Sequence, residues 1–267
     1  MAGPLGERPP QGGGGARGVS FGEEGRRLSY GSYLRVSELL GLQTSLTEAH
    51  DELLFIVTHQ AYELWFRVLL HELDSARRLI GADDLFTARH RLRRVATIVR
   101  LLVHQIDVLE TMSPQDFLEF RSGLAPASGF QSVQFREIEF LCGLKDPSYL
   151  ERLETTPAER ARLERRLAEP SLWDAFAALT ARRGSPSLVE VFHRREVHGE
   201  VFDLSESMLD VDEAFGLWRA RHLQMVERQI GGKRGTGGST GAGYLRTTLD
   251  KRFFPRLWEV RSELNPP

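Results

Sequence analysis

The sequence predicts an all-α fold, one helical domain with long antiparallel core helices. Three observations support this. Apolar residues recur at three- and four-residue intervals along most of the chain. Capping signatures of Ser, Thr or Asp followed by an acid or a Pro mark segment starts. Period-2 alternation with hairpin turns is missing, and only short stretches such as SLVEVF could pass for strand.

Residues 1–27 are rich in Gly and Pro and nearly free of large apolar side chains, so they are expected to be a disordered arm ahead of a single domain, 28–267. Ser45 with Glu48 has the form of a capping box opening a helix over about 47–81. Asp84 caps a second helix, in which Leu92, Val95, Ile98, Leu102, Ile106 and Leu109 share one face up to Met112. A short turn between two such helices makes them antiparallel neighbours. Ser113-Pro114 restarts the chain in a helix to about Ser122, and the irregular SGLAPASGF leads to another over 131–141. Thr156-Pro157-Ala158-Glu159 opens ERARLERRLAE, whose charges suggest an exposed helix. Further helices are expected at 171–182, 187–201 and 206–230. The loop GGKRGTGGSTGAG (231–243) follows, with Gly231 or Gly232 as left-handed cap, and a short helical tail runs to about Leu264.

The 267 residues are 41% hydrophobic and 27% charged, ordinary for a globular protein able to bury one large core. A net charge of −2 with dispersed Lys and Arg gives no nucleic-acid footprint, so a small-molecule partner is expected. The single Cys142 excludes an intramolecular disulfide and a multi-cysteine metal site, and fits a cytoplasmic location. No run approaches the roughly 18 apolar residues of a membrane span, and the N-terminus shows no apolar signal region.

Eight histidines are present, at 50, 59, 71, 90, 104, 193, 198 and 222. His59 sits in FIVTHQAYELWF, one turn after Phe55 and one before Tyr62, Glu63 and Phe66, as if in the wall of an aromatic pocket. His222 lies in FGLWRARHLQMVERQI, where Leu217, Met225 and Val226 share its broad face. Either ring could meet a flat apolar cofactor. No His-Glu-x-x-His zinc helix is present, and a di-iron bundle needs two Glu-x-x-His pairs where the chain has only Glu190 with His193. A lone axial histidine for haem leaves no spacing signature. Lys233 precedes the Gly cluster and a helix leads into it, which contradicts a Walker loop; a capping tail or a lid over a ligand remains. Arg121 follows Phe117 and Phe120, and needs an anion from the protein or from a ligand carboxylate.

Five blocks closely resemble the tryptophan 2,3-dioxygenase family: YGSYLRVSELLGLQ (30–43), HDELLFIVTHQAYELWFRVLLHELD (50–74), FLEFRSGLAPASGFQSVQFREIEF (117–140), WRARHLQMVERQIGGKRGTGGSTGAGYLRTTL (218–249) and FFPRLWEVR (253–261). The resemblance implies an all-α protein with a b-type haem (iron protoporphyrin IX), assembled as a cytosolic homotetramer. It implies insertion of O2 across the indole C2–C3 bond of L-tryptophan to give N-formyl-L-kynurenine. By the same likeness His222 is the axial haem ligand and His59 is the catalytic histidine facing the indole N–H. Phe55 would pack on the indole, Arg121 would hold the substrate carboxylate, Thr236 would meet the amino-acid end, and Ser128 would lie near the haem. Tyr30, Tyr33 and Leu34 match a segment that enters a neighbouring subunit's pocket. Phe117 stands where some members have a Tyr that also meets the carboxylate. The 144–215 segment matches only loosely, and the 1–27 arm has no recognised counterpart. A haem-based oxygen or redox sensor on the same scaffold is the alternative reading.

Overall fold

The computed structural model describes residues 29–184 and 187–265. The arm expected to be disordered, 1–27, lies outside them. The chain divides into two units, 1–44 and 45–267. In the first, α1 (Tyr30–Leu34) is opened by a Ser29–Ser32 capping box, and Arg35, at φ 53°, turns the chain into α2 (Val36–Leu39). Neither helix buries a residue.

The second unit holds the core and is helical throughout, with no strand among the described residues. Its elements are α3 (Glu52–Gly81), α4 (Leu85–Leu109), α5 (Pro114–Arg121), α6 (Val133–Cys142), α7 (Tyr149–Arg152), α8 (Pro157–Ala168), α9 (Leu172–Arg182), α10 (Leu188–His193), α11 (Arg195–Ile230), α12 (Ala242–Arg246) and α13 (Pro255–Glu263). SLVEVF is thus helix α10.

The directions of three helices fix the site. Tyr62 Oη donates to the Leu102 carbonyl at 2.7 Å and Gln105 Nε2 to that of Thr58 at 2.8 Å, so α3 and α4 are antiparallel. Arg89 pairs with Asp203 at 2.8 Å and Arg221 with Asp107 at 2.8 Å, so α11 runs parallel to α4. The first turns of α3 therefore meet the last turns of α4 and α11 at one end. Between them Leu69, Leu73, Leu92, Val99, Met208, Val211 and Phe215 are fully buried. Each such side chain contributes roughly 1.5–3 kcal/mol of transfer free energy.

Several boundaries depart from the sequence reading. Helix α3 begins at Glu52, not 47, and Ser45–Glu48 is not its capping box. The Glu52 carboxylate instead reaches back, accepting from the Leu46 and Thr47 N–H groups at 2.8 Å each and from Thr47 Oγ1 at 2.6 Å. A carboxylate with three donors outcompetes a looser box four residues earlier. Asp84 and Thr156 cap as predicted. The expected break between 201 and 206 does not occur, because Val201, Leu204, Ser205 and Met208 form one buried stripe. The chain bends earlier, at His198 (φ −108°, ψ 22°). Helix α8 is not simply exposed: Arg166 is buried, with Nη1 and Nη2 each 2.7 Å from the Asp74 carboxylate. Helix α3 is long and apolar enough to cross a membrane by length and composition alone. Its Leu69, Leu70, Leu73, Ala76 and Ile80 nonetheless belong to the buried core.

Candidate functional site

A cavity of about 300 Å³ opens at the end where α3, α4 and α11 converge, between α5, α6 and the 231–241 loop. Phe55, His59, Tyr62, Glu63 and Phe66 line it from α3, as their helical spacing predicts. Ile106 and Leu109 line it from α4, and Met112 from the turn beyond; Trp218, His222, Met225 and Val226 line it from α11. Leu217 is excluded, being 55% exposed on the opposite face.

The two singled-out histidines face this one cavity. His59 Nδ1 lies 2.7 Å from the Phe55 carbonyl. A carbonyl only accepts, so Nδ1 carries the proton and Nε2 is left as an acceptor. Burial holds His59 below the usual imidazole range and keeps it neutral, although the Phe55 carbonyl and Glu63 pull the other way. His222 stacks on Trp218, with centroids 5.2 Å apart and planes at 14°. Burial, with a smaller contribution from His59, lowers its pKa to about 4. A neutral imidazole with a free lone pair is the form that binds a metal ion.

The aromatic floor is interlocked. Phe55 lies 4.1 Å from the His59 ring, stacks on Phe117 at 5.6 Å and meets Phe120 edge-on at 5.5 Å. Phe117 lines the cavity, as does Arg121 at the end of α5. The Arg121 guanidinium donates to the Arg234 carbonyl, which ties α5 to the glycine loop. Ser128 caps the turn Gly129–Gln131, its Oγ accepting from Phe130 N–H at 3.3 Å, and faces the cavity.

Helix α11 ends at Gly231, whose φ of 57° accommodates the exit into the loop. The loop then closes on residues 121–128. Thr236 Oγ1 donates to the Ala127 carbonyl at 2.6 Å. A Cβ on Gly237 would lie 2.6 Å from Ser128 Cβ, so only glycine permits that approach. Gly235, Thr236, Ser239 and Gly241 all line the cavity, which supports the lid reading of this loop.

Tyr30, Tyr33 and Leu34 belong to the first unit and are 79%, 70% and 44% exposed. The sequence reading missed other lining residues: Arg136 and Glu139 on α6, Trp218 and Arg219 on α11, and Tyr244 on α12. For the two on α6 the signal is faint, three charged residues, Arg136, Glu137 and Glu139, inside the mostly apolar VQFREIEFLC. Among the described residues no cluster of three His, Cys, Asp or Glu could hold a metal ion by itself.

A family profile described as tryptophan 2,3-dioxygenase matches residues 14–183 and 174–264, so it takes in the 144–215 segment and reaches into the N-terminal arm. A tryptophan 2,3-dioxygenase of Nocardioides sp. is 56% identical over 262 residues, covering 92% of this chain and 98% of the relative. That of Herpetosiphon aurantiacus is 46% identical, covering 89% and 98%, and that of Myxococcus xanthus 44% identical, covering 90% and 91%. With matches of this extent over nearly the whole chain, it belongs to the tryptophan 2,3-dioxygenase family.

Proposed function

We propose that this chain is an oxidoreductase that inserts O2 across the indole C2–C3 bond of L-tryptophan, giving N-formyl-L-kynurenine, the first step of tryptophan breakdown by the kynurenine route, with haem b held in the cavity. The observation that carries this reading is that His59 and His222, from distant parts of the chain, line the same cavity as Arg121 and Thr236.

The cavity residues fit a haem. His222 would hold the iron through its neutral imidazole. Tyr62, Phe66, Leu109, Met112, Met225 and Val226 supply apolar walls for a flat macrocycle. Among the described residues, Arg136 Nε and Gln229 Oε1 are buried at the wall without a hydrogen-bond partner. Buried polar atoms are rarely left so, and a bound group is one way to satisfy them. When bound, haem supplies the redox chemistry that makes O2 reactive toward an electron-rich indole.

The chain's own residues then bind, orient and keep water out. His59 Nε2 accepts the indole N–H, in the tautomer that the Phe55 carbonyl selects. Phe55, held by Phe117 and Phe120, packs on the indole face. Arg121 has donors beyond the one given to Arg234, and these take the substrate carboxylate. Phe117 has no hydroxyl to share that contact, so it rests on Arg121. Thr236 spends its hydroxyl proton on Ala127, which leaves Oγ1 as an acceptor suited to the substrate ammonium. Fixing both ends of the amino acid places the indole at reacting distance, and this is where most of the protein's contribution lies.

A cytoplasmic homotetramer completes the reading, Tyr30, Tyr33 and Leu34 entering a neighbouring pocket. Its support is the exposure of those residues together with Leu53, Val57 and Leu64 on α3, and Cys142 buried as a free thiol. Turnover of L-tryptophan, followed as N-formylkynurenine absorbance, tests the function. A Soret band without turnover would favour the haem-based sensor, and a colourless protein would remove both.

A further inference from the structure

The wall of the cavity formed by α6 and α11 carries charge that neither substrate nor iron accounts for. Arg136, Glu139 and Arg219 line it and are 5%, 3% and 3% exposed. Glu139 is shared, accepting from Arg136 Nη1 at 2.5 Å and from Arg219 Nη2 at 3.3 Å. Arg219 gives its remaining terminal nitrogen to the Lys251 carbonyl at 2.9 Å. Among the described residues Arg136 finds no second acceptor, and its Nε is buried and unpartnered.

The surroundings of Arg136 hold further unspent donors. Its guanidinium lies 4.3 Å from the centre of the Tyr149 ring, and Lys251 Nζ lies 5.8 Å from the same ring. The Tyr149 hydroxyl pairs with that of Tyr244 at 3.0 Å, and Tyr244 lines the cavity. Two phenols bring two protons, and the pair uses one. The other has no acceptor among the described residues. A buried cation with an unused N–H, beside a phenol with an unused O–H, is a donor set for a carboxylate. Leaving that cation half-paired in a low-dielectric wall is costly, and an incoming anion relieves the cost.

We propose that Arg136 and Tyr244 form an anion subsite that holds a carboxylate of the bound porphyrin, apart from Arg121, which takes the carboxylate of the substrate. The inference rests on the reading of the cavity as a haem site. Glu139 acts as the positioning residue, holding Arg136 through Nη1 while Arg219 shares its charge. Because Arg219 stands three residues before His222 on α11, the turn that carries the iron ligand also braces the subsite.

The test is binding, not turnover. The full chain, freed of haem, is titrated with hemin and with hemin dimethyl ester, which keeps the iron and the ring but lacks the anions, and the Soret band is read. The native chain is expected to prefer hemin by about ten- to a hundred-fold, the range of a charged hydrogen bond. Arg136→Gln and Tyr244→Phe should each shrink that ratio by weakening hemin binding while leaving the ester nearly unaffected. Tyr244→Phe keeps the ring and its packing, so it decides alone if Arg136→Gln does not fold. An unchanged ratio, whether because both porphyrins weaken together or because neither does, overturns the subsite while leaving the haem site standing. No saturable Soret band with the native chain would remove both.

Discussion

His59 and His222 line one cavity, and they are close enough for one ring to lower the pKa of the other. The relationship follows from helix direction: α3 begins, and α11 ends, at the end of the bundle where α4 terminates. The two rings should therefore separate cleanly on substitution. His222→Ala is expected to abolish stable haem incorporation, seen as loss of the Soret band on the purified protein. His59→Phe should keep the haem band and lower kcat/KM for tryptophan. Full haem occupancy with an unaltered spectrum in His222→Ala would retire it as the ligand.

Arg121 is the candidate for the substrate carboxylate, and Phe117 has no hydroxyl to share the work. Arg121→Ala should lower kcat/KM for L-tryptophan about ten- to a hundred-fold, corresponding to roughly 1.5–3 kcal/mol for charged hydrogen bonds, with most of the effect in KM. Tryptamine, which lacks the carboxylate, should be scarcely affected by the same change. Steady-state kinetics with the two substrates checks this, and equal losses on both would count against the clamp.

At Gly237 the loop backbone comes so close to Ser128 that a methyl group would sit 2.6 Å from Ser128 Cβ. Gly237→Ala should push the loop off residues 126–128 and raise KM for tryptophan. The haem spectrum and the thermal unfolding midpoint should change little, because the loop contributes little to the core. A wild-type KM would show that the loop does not close over the substrate.

Glu52 holds the start of α3, and so the register of Phe55 and His59. Hydrogen bonds, chiefly from the Thr47 hydroxyl and then from the Leu46 N–H, keep its carboxyl below the usual carboxylate range. A depressed carboxylate stabilises the fold above its unfolded-state pKa, and that contribution fades as pH falls through the folded value. Glu52→Gln should therefore destabilise the chain at pH 7, with the difference from wild type shrinking below about pH 4. Denaturant melts at several pH values measure it, and a difference independent of pH would contradict the assignment.

How much of this was legible in the sequence differs from element to element. The all-α class, the caps at Asp84 and Thr156 and the α3–α4 hairpin are local properties, set by side-chain spacing and by hydrogen bonds within a few residues, and the sequence alone determined them. The pocket wall of Phe55, His59, Tyr62, Glu63 and Phe66 was legible for the same reason, since one helix face carries it. The start of α3 was misplaced because Glu52 reaches back five and six residues, a contact that the shorter capping pattern does not describe. Likewise the break expected near residue 203 vanished, because burial of Val201, Leu204 and Met208 holds one helix across it.

Only the tertiary structure decided which faces met. The meeting of His59 with His222, the docking of Thr236 on Ala127 and the shared Arg136–Glu139–Arg219 wall join residues from elements far apart in the chain. Such contacts arise when helices of fixed direction bury their apolar stripes together, and no spacing rule along the chain encodes where those stripes will meet. A buried charge in an apolar segment tells the reader that a partner exists; the packing of the helices names it.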